Sequence, residues 1–312
     1  MNSDKSKAFF FKIIDLIMAN DERPALRSVI AKELLQYDII YALDNEGLLR
    51  NLVFKGGSAL RMCRNSDRFS DNLEFSGGIE FSSAELEKIM LCLQGDLTGR
   101  YGFHIDLTQP TAVDMVSKYQ KTKVNNFRIS IEISSDIENM PIGHINLEIT
   151  ATPSFTNEVL PTFENYPVIG EGRAPVLLRV ETVDEILADK LVNYPMTTSS
   201  KGYDDLWDIA WLLHKGAKLD MELIKQKLSF FDISDTYPLF LSACIDKITD
   251  IVKSQEFLAH LKKNRPSRTN QLTFEKPEFL IYLVDVNTRI FNKLLEAFSA
   301  DANLEQKTEY IM

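Results

Sequence analysis

Apolar positions recur at helical spacing over the first 50 residues. Phe10, Ile13, Ile14, Ile17 and Met18 form one such set, and Ile30, Leu34, Leu35 and Ile39 a second, so this stretch is expected to be helical. The period then changes. Val53-Phe54 predicts a short strand, Lys55-Gly56-Gly57-Ser58 a tight turn, and Ala59-Leu60-Arg61-Met62 a helix start with Ser58 as its cap. Arg68 to Phe75 carries Phe69, Leu73 and Phe75 and predicts a strand entering the core, bounded by Ser76-Gly77-Gly78. Ser82 to Leu93 has the pattern of an amphipathic helix, capped by Ser82 or Ser83 and with Glu85 and Glu87 in its first turn.

Period two follows. Phe127, Ile129, Ile131 and Ile133 alternate with Arg128, Ser130 and Glu132, and Ile145, Leu147 and Ile149 alternate with Asn146 and Glu148. Both segments are expected to be half-buried strands. Residues 151–175, rich in Pro, Thr and Gly, predict a long loop with a strand at its end. From Thr182 the pattern is helical. Thr182 with Glu185 forms a capping box that opens a helix ended by Pro195. A second helix is expected from Asp204 to His214, and more over Met221–Leu228, Leu239–Leu261 and Pro277–Phe298. The shift in composition puts a boundary near residue 175. Residues 1–175 read as an α/β (α+β) domain, a mixed sheet flanked by helices, and residues 176–312 as a C-terminal helical bundle. No internal repeat is visible.

Composition narrows the classes. Of 312 residues, 45% are apolar and 26% charged, which excludes wholesale disorder. Lys+Arg total 35 against 45 Asp+Glu, a net charge of −10. That balance argues against a general binder of phosphate backbones. It leaves room for a local basic patch, or for a site that holds Mg²⁺ and nucleotide through carboxylates. Cys63, Cys92 and Cys244 are widely spaced and form no CxxC pair, so neither a disulfide framework nor a thiolate zinc site is indicated. The apolar run Ala8 to Met18 is broken by Lys12 and Asp15 and is too short to span a membrane. A cytoplasmic location without membrane attachment is expected.

The chemistry-bearing residues cluster in three places. Gly56-Gly57-Ser58 lets a backbone approach a ligand closely, and the helix start behind it offers free N–H groups to phosphate. Taken alone, a Gly-Gly pair is usually only a turn. Asn72 and Glu74 then project from one face of a strand, and Glu148 projects from another strand beside Asn146. A phosphate loop with carboxylates from two strands is the way a nucleotidyl-transfer site holds Mg²⁺ on a triphosphate.

These segments resemble the AbiEii-type nucleotidyltransferase toxins, bacterial toxin–antitoxin and phage-defence proteins with the DNA-polymerase-β-like nucleotidyltransferase fold. The resemblance lies in Phe54-Lys55-Gly56-Gly57-Ser58-Ala59-Leu60-Arg61, in Arg68-Phe69-Ser70-Asp71-Asn72-Leu73-Glu74-Phe75, and in Ile145-Asn146-Leu147-Glu148-Ile149. It continues in Val183-Asp184-Glu185-Ile186-Leu187-Ala188-Asp189-Lys190-Leu191 and in Asp205-Leu206-Trp207-Asp208-Ile209. The ordered set is more specific than any single motif. It implies that Gly56, Gly57 and Ser58 hold the triphosphate, with Lys55 and Arg68 as nearby cations. It puts Asn72, Glu74 and Glu148 at the metal positions. Lys190 would contact phosphate or help the leaving group, and Asp205 would orient that lysine or the acceptor. Asp208 is a further member of this group or a structural partner.

One position departs from the pattern. The family has Asp-x-Asp where this chain has Asn72-Leu73-Glu74. Asn offers one neutral carbonyl oxygen, and its NH₂ cannot ligate a cation. Either the site binds nucleotide and turns over weakly, or Asp71 substitutes. On a regular strand Asp71 points to the other face, so it serves only if the strand begins irregularly.

Two functions follow from the resemblance and the departure. The first is Mg²⁺-dependent transfer of NMP from an NTP to an RNA (tRNA-like) or protein acceptor, by the toxin of a toxin–antitoxin or phage-defence system, with a cognate antitoxin as partner. The second is a catalytically weakened or inactive relative that binds nucleotide, RNA or a protein partner. Among secondary features, Trp207 and Trp211 at i, i+4 are expected in the core, and His144 at the surface. Lys262-Lys263-Asn264-Arg265 with Arg268 reads as a solvated basic loop, and as the first place for RNA phosphate contacts if the acceptor is RNA.

Overall fold

The computed structural model describes residues 3–19, 25–113, 124–133, 143–163, 165–166, 174–197, 202–263 and 265–309. They group into two units. The first takes in the described chain up to Thr182 together with Lys263–Ser267, and the second Val183–Lys262 and the chain from Arg268 on.

The first unit opens with α1 (Ser3–Met18) and α2 (Ala25–Asn45). Then come β1 (Val53–Lys55), α3 (Gly56–Arg64), β2 (Leu73–Ser76) and α4 (Ser83–Leu93). The Glu85 carboxylate accepts from the Ser82 N–H at 3.0 Å and closes the expected capping box of α4. A π-helical turn, Gln94–Thr98, and the short α5 (Gly99–Tyr101) lead to β3 (His104–Val113), β4 (Val124–Ile133), β5 (Gly143–Thr150), β6 (Asn157–Pro161) and β7 (Leu177–Glu181). Among the described residues these strands make one mixed sheet in the order β3-β4-β5-β2-β1-β7-β6. The β2–β5 and β1–β7 pairs are parallel and the others antiparallel.

The alternation seen in the sequence sorts the sheet into two faces. Leu73, Phe75, Leu147, Ile149, Phe127, Ile129 and Ile131 are buried in one core with residues of α1, α2 and α4, and Phe54 stacks on Phe75 at 4.9 Å. The side chains between them, including Glu74, Glu148 and Arg128, lie on the opposite, polar face. A buried carboxylate fixes α3 against α2. Glu33, 2% exposed, accepts from Arg61 Nε at 2.8 Å, Asn165 Nδ2 at 2.8 Å and the Tyr166 hydroxyl at 2.5 Å. Burial first, and Glu33 second, push the Tyr166 phenol well above its ordinary pKa.

Three local expectations are revised. Ser58 does not cap α3: the helix starts at Gly56, directly after β1, and the Ser58 hydroxyl donates instead to the Asn72 carbonyl. The expected strand from Arg68 is regular only from Leu73. Ahead of it, side chains take the backbone carbonyls that a ladder would use: Gln36 Nε2 donates to Ser70 O at 2.9 Å, and Ser58 to Asn72 O. The 151–175 stretch contains β6 as well as loop, and β3 was not anticipated, although Ile105-Asp106-Leu107 alternates.

The second unit is helical. It comprises α6 (Val183–Asn193), a 3₁₀ turn at Tyr194–Met196, α7 (Tyr203–His214), α8 (Met221–Phe230), α9 (Tyr237–Lys253), α10 (Gln255–Lys263), α11 (Ser267–Leu272) and α12 (Pro277–Glu309). The helix expected over 239–261 is two. Ser254 turns extended, and its hydroxyl accepts from the Phe257 N–H at 3.1 Å, capping α10. Among the described residues no helix is long and apolar enough to cross a membrane.

Candidate functional site

The glycine pair is shaped by two side chains of its own unit. Gly56 has φ +71°, and a Cβ there would lie 2.1 Å from Glu74 Oε2. A Cβ on Gly57 would lie 2.1 Å from Arg68 Nη2. Only glycine meets both demands, a left-handed φ and a neighbour against the Cα. The first turn of α3 thus has a carboxylate against one residue and a buried guanidinium against the next. Lys55, the last residue of β1, donates Nζ to Thr150 Oγ1 at 3.0 Å.

The parallel β2–β5 pair then fixes the carboxylates. Glu74 and Glu148 are direct register partners, so both project from the same face, side by side. Arg128 of β4 is the register partner of Glu148 on its other side, and its Nη2 lies 3.0 Å from Glu148 Oε1. One step along the same face runs a neutral chain of amides. Ser130 Oγ donates to Asn146 Oδ1 at 3.2 Å, and Asn146 Nδ2 donates to Asn72 Oδ1 at 3.3 Å. Asn72 therefore joins Glu74 and Glu148. Asp71 does not: although the segment before β2 is irregular, its carboxylate binds Lys32 Nζ of α2 at 3.0 Å.

Two carboxylates and one amide carbonyl form the donor set. Among the described residues no three His, Cys, Asp or Glu side chains are disposed to hold a metal ion. Mg²⁺ is commonly held by one or two carboxylates, with water and substrate phosphates completing its octahedron. The hard oxygen donors of Glu74, Glu148 and Asn72 fit that requirement.

In the second unit, α6 and α7 bring the remaining expected residues together. Lys190 Nζ lies 2.6 Å from Asp205 Oδ1 and 3.1 Å from Asp208 Oδ2, and the Asp208 side chain is only 1% exposed. Asp204 points elsewhere, to His260 Nε2 at 3.0 Å. A further charge cluster was not foreseen. Lys227 of α8 is buried between Glu185 at 2.9 Å and Asp189 at 2.6 Å. Glu185, expected as half of a capping box with Thr182, is a buried ion-pair partner of Lys227. Nothing local in the sequence marks Lys227, since α8 reads as an ordinary amphipathic helix. Trp207 is buried against Phe274 and Phe279, whereas Trp211 is half-buried, with Lys215 Nζ 5.3 Å from its ring centroid. His144 is exposed, as expected. The basic run is not a uniformly solvated loop. Lys262, Lys263 and Arg268 are exposed, but Arg265 is fully buried, which removes it from any surface offered to phosphate.

Comparison with known proteins bears on these groups. The model of the family described as nucleotidyl transferase AbiEii toxin, type IV toxin–antitoxin system, matches residues 38–283. The nucleotidyltransferase toxin MenT4 of Mycobacterium tuberculosis H37Rv superposes with a TM-score of 0.53 at 17% identity, covering 92% of this chain and 98% of its own. A proposed nucleotidyltransferase from H. pylori (TM-score 0.43, 16% identity, 86% and 96% coverage) and the Helicobacter pylori protein JHP933 (0.34, 15%, 89% and 97%) are more distant. No curated protein matches at a significant level. The matched region takes in the glycine pair, both carboxylate strands and the Lys190 cluster, and the chain belongs to the AbiEii nucleotidyltransferase toxin family.

Proposed function

We propose that this protein transfers NMP from an NTP, with Mg²⁺, to a hydroxyl of an RNA (tRNA-like) or protein acceptor, as the toxin of a toxin–antitoxin or phage-defence pair. The observation that carries the reading is the register pairing of Glu74 with Glu148 on a polar sheet face, beside a strand that runs directly into the Gly56-Gly57 start of α3. In the proposed reaction the acceptor oxygen bonds to the α-phosphorus, the bond to the bridging oxygen breaks, pyrophosphate leaves, and the hydroxyl proton passes to solvent. Glu74, Glu148 and the Asn72 carbonyl would hold Mg²⁺, which supplies charge neutralisation at the triphosphate. The first turn of α3 offers backbone N–H groups to phosphate, with Ser58, Arg68 and Lys55 as its polar and cationic neighbours. Lys190, paired with Asp205 and Asp208 in the helical unit, is the cation that the family resemblance puts forward for contact with phosphate.

One observation favours the second reading, a weakened enzyme that chiefly binds nucleotide, RNA or a protein partner. Asn72 already spends its carbonyl on Asn146, and a neutral oxygen shared in this way is a poor ligand. Labelled NTPs separate the two. With Mg²⁺ and total tRNA or cell protein, the enzyme incorporates α-label and releases γ-label as pyrophosphate. Nucleotide binding without incorporation supports the second reading, and incorporation of γ-label marks a phosphotransferase and overturns both.

A further inference from the structure

The row that carries the paired carboxylates extends beyond them on both sides. Lys55 faces Glu74 across β1–β2, Glu74 faces Glu148 across β2–β5, and Glu148 faces Arg128 across β5–β4. The charges along this row run positive, negative, negative, positive. The two cations are used differently. Lys55 is hydrogen-bonded to a threonine hydroxyl, at 3.0 Å, whereas Arg128 grips the Glu148 carboxylate itself at 3.0 Å. The Glu148 side chain is 20% exposed and that of Arg128 46%, so the guanidinium can leave the carboxylate by rotation into solvent without unpacking the sheet.

We propose that Arg128 is a displaceable counter-ion. It holds Glu148 while no divalent cation is bound, yields the carboxylate when one arrives, and then pairs with a phosphate oxygen of the nucleotide. The inference rests on the assignment of Glu74 and Glu148 as metal holders. Two carboxylates side by side repel, and a guanidinium on one of them relieves that repulsion in the metal-free chain. The same contact makes Arg128 a competitor for an oxygen that the metal needs. Once a dication sits on the row, its charge changes from balanced to an excess of two positives, and the natural compensation is a polyanion. Arginine suits the hand-over because its planar fork binds carboxylate and phosphate in the same geometry. Arg128 thereby links metal affinity to the presence of nucleotide.

The test uses the full chain and two probes, Mn²⁺ alone, followed by the paramagnetic signal of the free ion, and an α,β-methylene NTP with Mg²⁺. Arg128→Ala should bind Mn²⁺ about fivefold more tightly than wild type, the release of one part-exposed ion pair, and should bind the nucleotide analogue more weakly. Arg128→Lys, which keeps the charge but not the fork, should fall between the two on both probes. Mn²⁺ binding by Arg128→Ala that is no tighter, or analogue binding that is no weaker, overturns the proposal. Glu148→Gln should weaken Mn²⁺ binding. If it does not, the metal assignment itself fails and takes the proposal with it; if it does while Arg128→Ala behaves as wild type, the counter-ion role alone is lost.

Discussion

Glu74 and Glu148 stand opposite each other in the parallel β2–β5 register, although 73 residues of chain lie between them. This pairing depends on β5 returning beside β2 while β4 is displaced one place outward. It puts both carboxylates on the face away from the core, where they can be changed without disturbing the packing of Leu73, Phe75, Leu147 and Ile149. Predictions about the polar face are therefore predictions about chemistry, and those about the glycines and buried charges concern stability.

Gly56→Ala should be strongly harmful. The residue has φ +71°, and the new methyl carbon would lie 2.1 Å from Glu74 Oε2. A side chain in that conformation costs about 1–3 kcal/mol before the clash is relieved, and relief moves Glu74. Urea denaturation should show the loss of stability. Gly78→Ala is the control, having a similar φ of +78° with nothing within 4 Å.

Asn72→Asp should strengthen the site. The new carboxylate keeps Asn146 Nδ2 as a donor and adds one negative charge beside Glu74 and Glu148. A unit charge about 4 Å from a divalent cation in watery surroundings is worth on the order of a tenfold gain in affinity. Mn²⁺ titration and the rate of label incorporation should both rise. Unchanged values would mean that residue 72 takes no part in binding the ion.

Lys227→Ala should destabilise the helical unit while leaving the polar sheet face intact. It takes the buried cation away from Glu185, which is fully buried, and from Asp189. Breaking a buried ion pair from one side costs about 3–5 kcal/mol. Chemical denaturation measures the loss, and Lys227→Met together with Glu185→Leu should recover much of it.

Burial raises all three cysteine thiols above their ordinary value of 9.0, Cys63 and Cys244 to about 12 and Cys92 to about 11, with Glu46 and Asp96 adding to the effect at Cys92. The folded chain keeps these protons where the unfolded chain has lost them. Their contribution to stability is therefore whole below pH 9 and is lost as the pH climbs towards 11 to 12. Since the thiolate is the nucleophile, a disulfide reagent at pH 8 should label the native protein slowly and the urea-unfolded chain rapidly. Fast labelling of the native protein would contradict the burial.

Much of this site was legible in the sequence because its parts are local. The glycine pair follows a two-residue apolar run, and period-two alternation assigns Glu148 and Arg128 to the polar side of their strands without knowledge of the fold. Lys190, Asp205 and Asp208 lie on successive helices joined by a short connection, so their meeting needs little topology. The contacts that stayed hidden depend on which strands are neighbours or on tertiary burial. Arg128 becomes the partner of Glu148 only because β4 lies next to β5. Lys227 meets Glu185 and Asp189 only when α8 packs on α6. Arg265 shares the composition of a solvated loop, yet it is interior. Ser58 looks like a cap in the sequence, but the left-handed φ of Gly56 lets the helix begin earlier and leaves the hydroxyl to hold the irregular segment before β2.

The central claim is that Glu74 and Glu148, among all the acidic groups on this face, form the catalytic centre. It is tested most directly by α-label incorporation from NTP into tRNA or protein by Glu74→Gln, Glu148→Gln and Glu132→Gln. Glu132 lies on the same face of β4, opposite His144 of β5, so its substitution removes the same charge from the same sheet. The first two variants should lose about a hundredfold or more in rate, the scale expected for removal of one electrostatic contact to the transition state, with unfolding midpoints unchanged, while Glu132→Gln keeps wild-type activity. Retained activity in Glu148→Gln, or an equal loss in Glu132→Gln, would contradict the account.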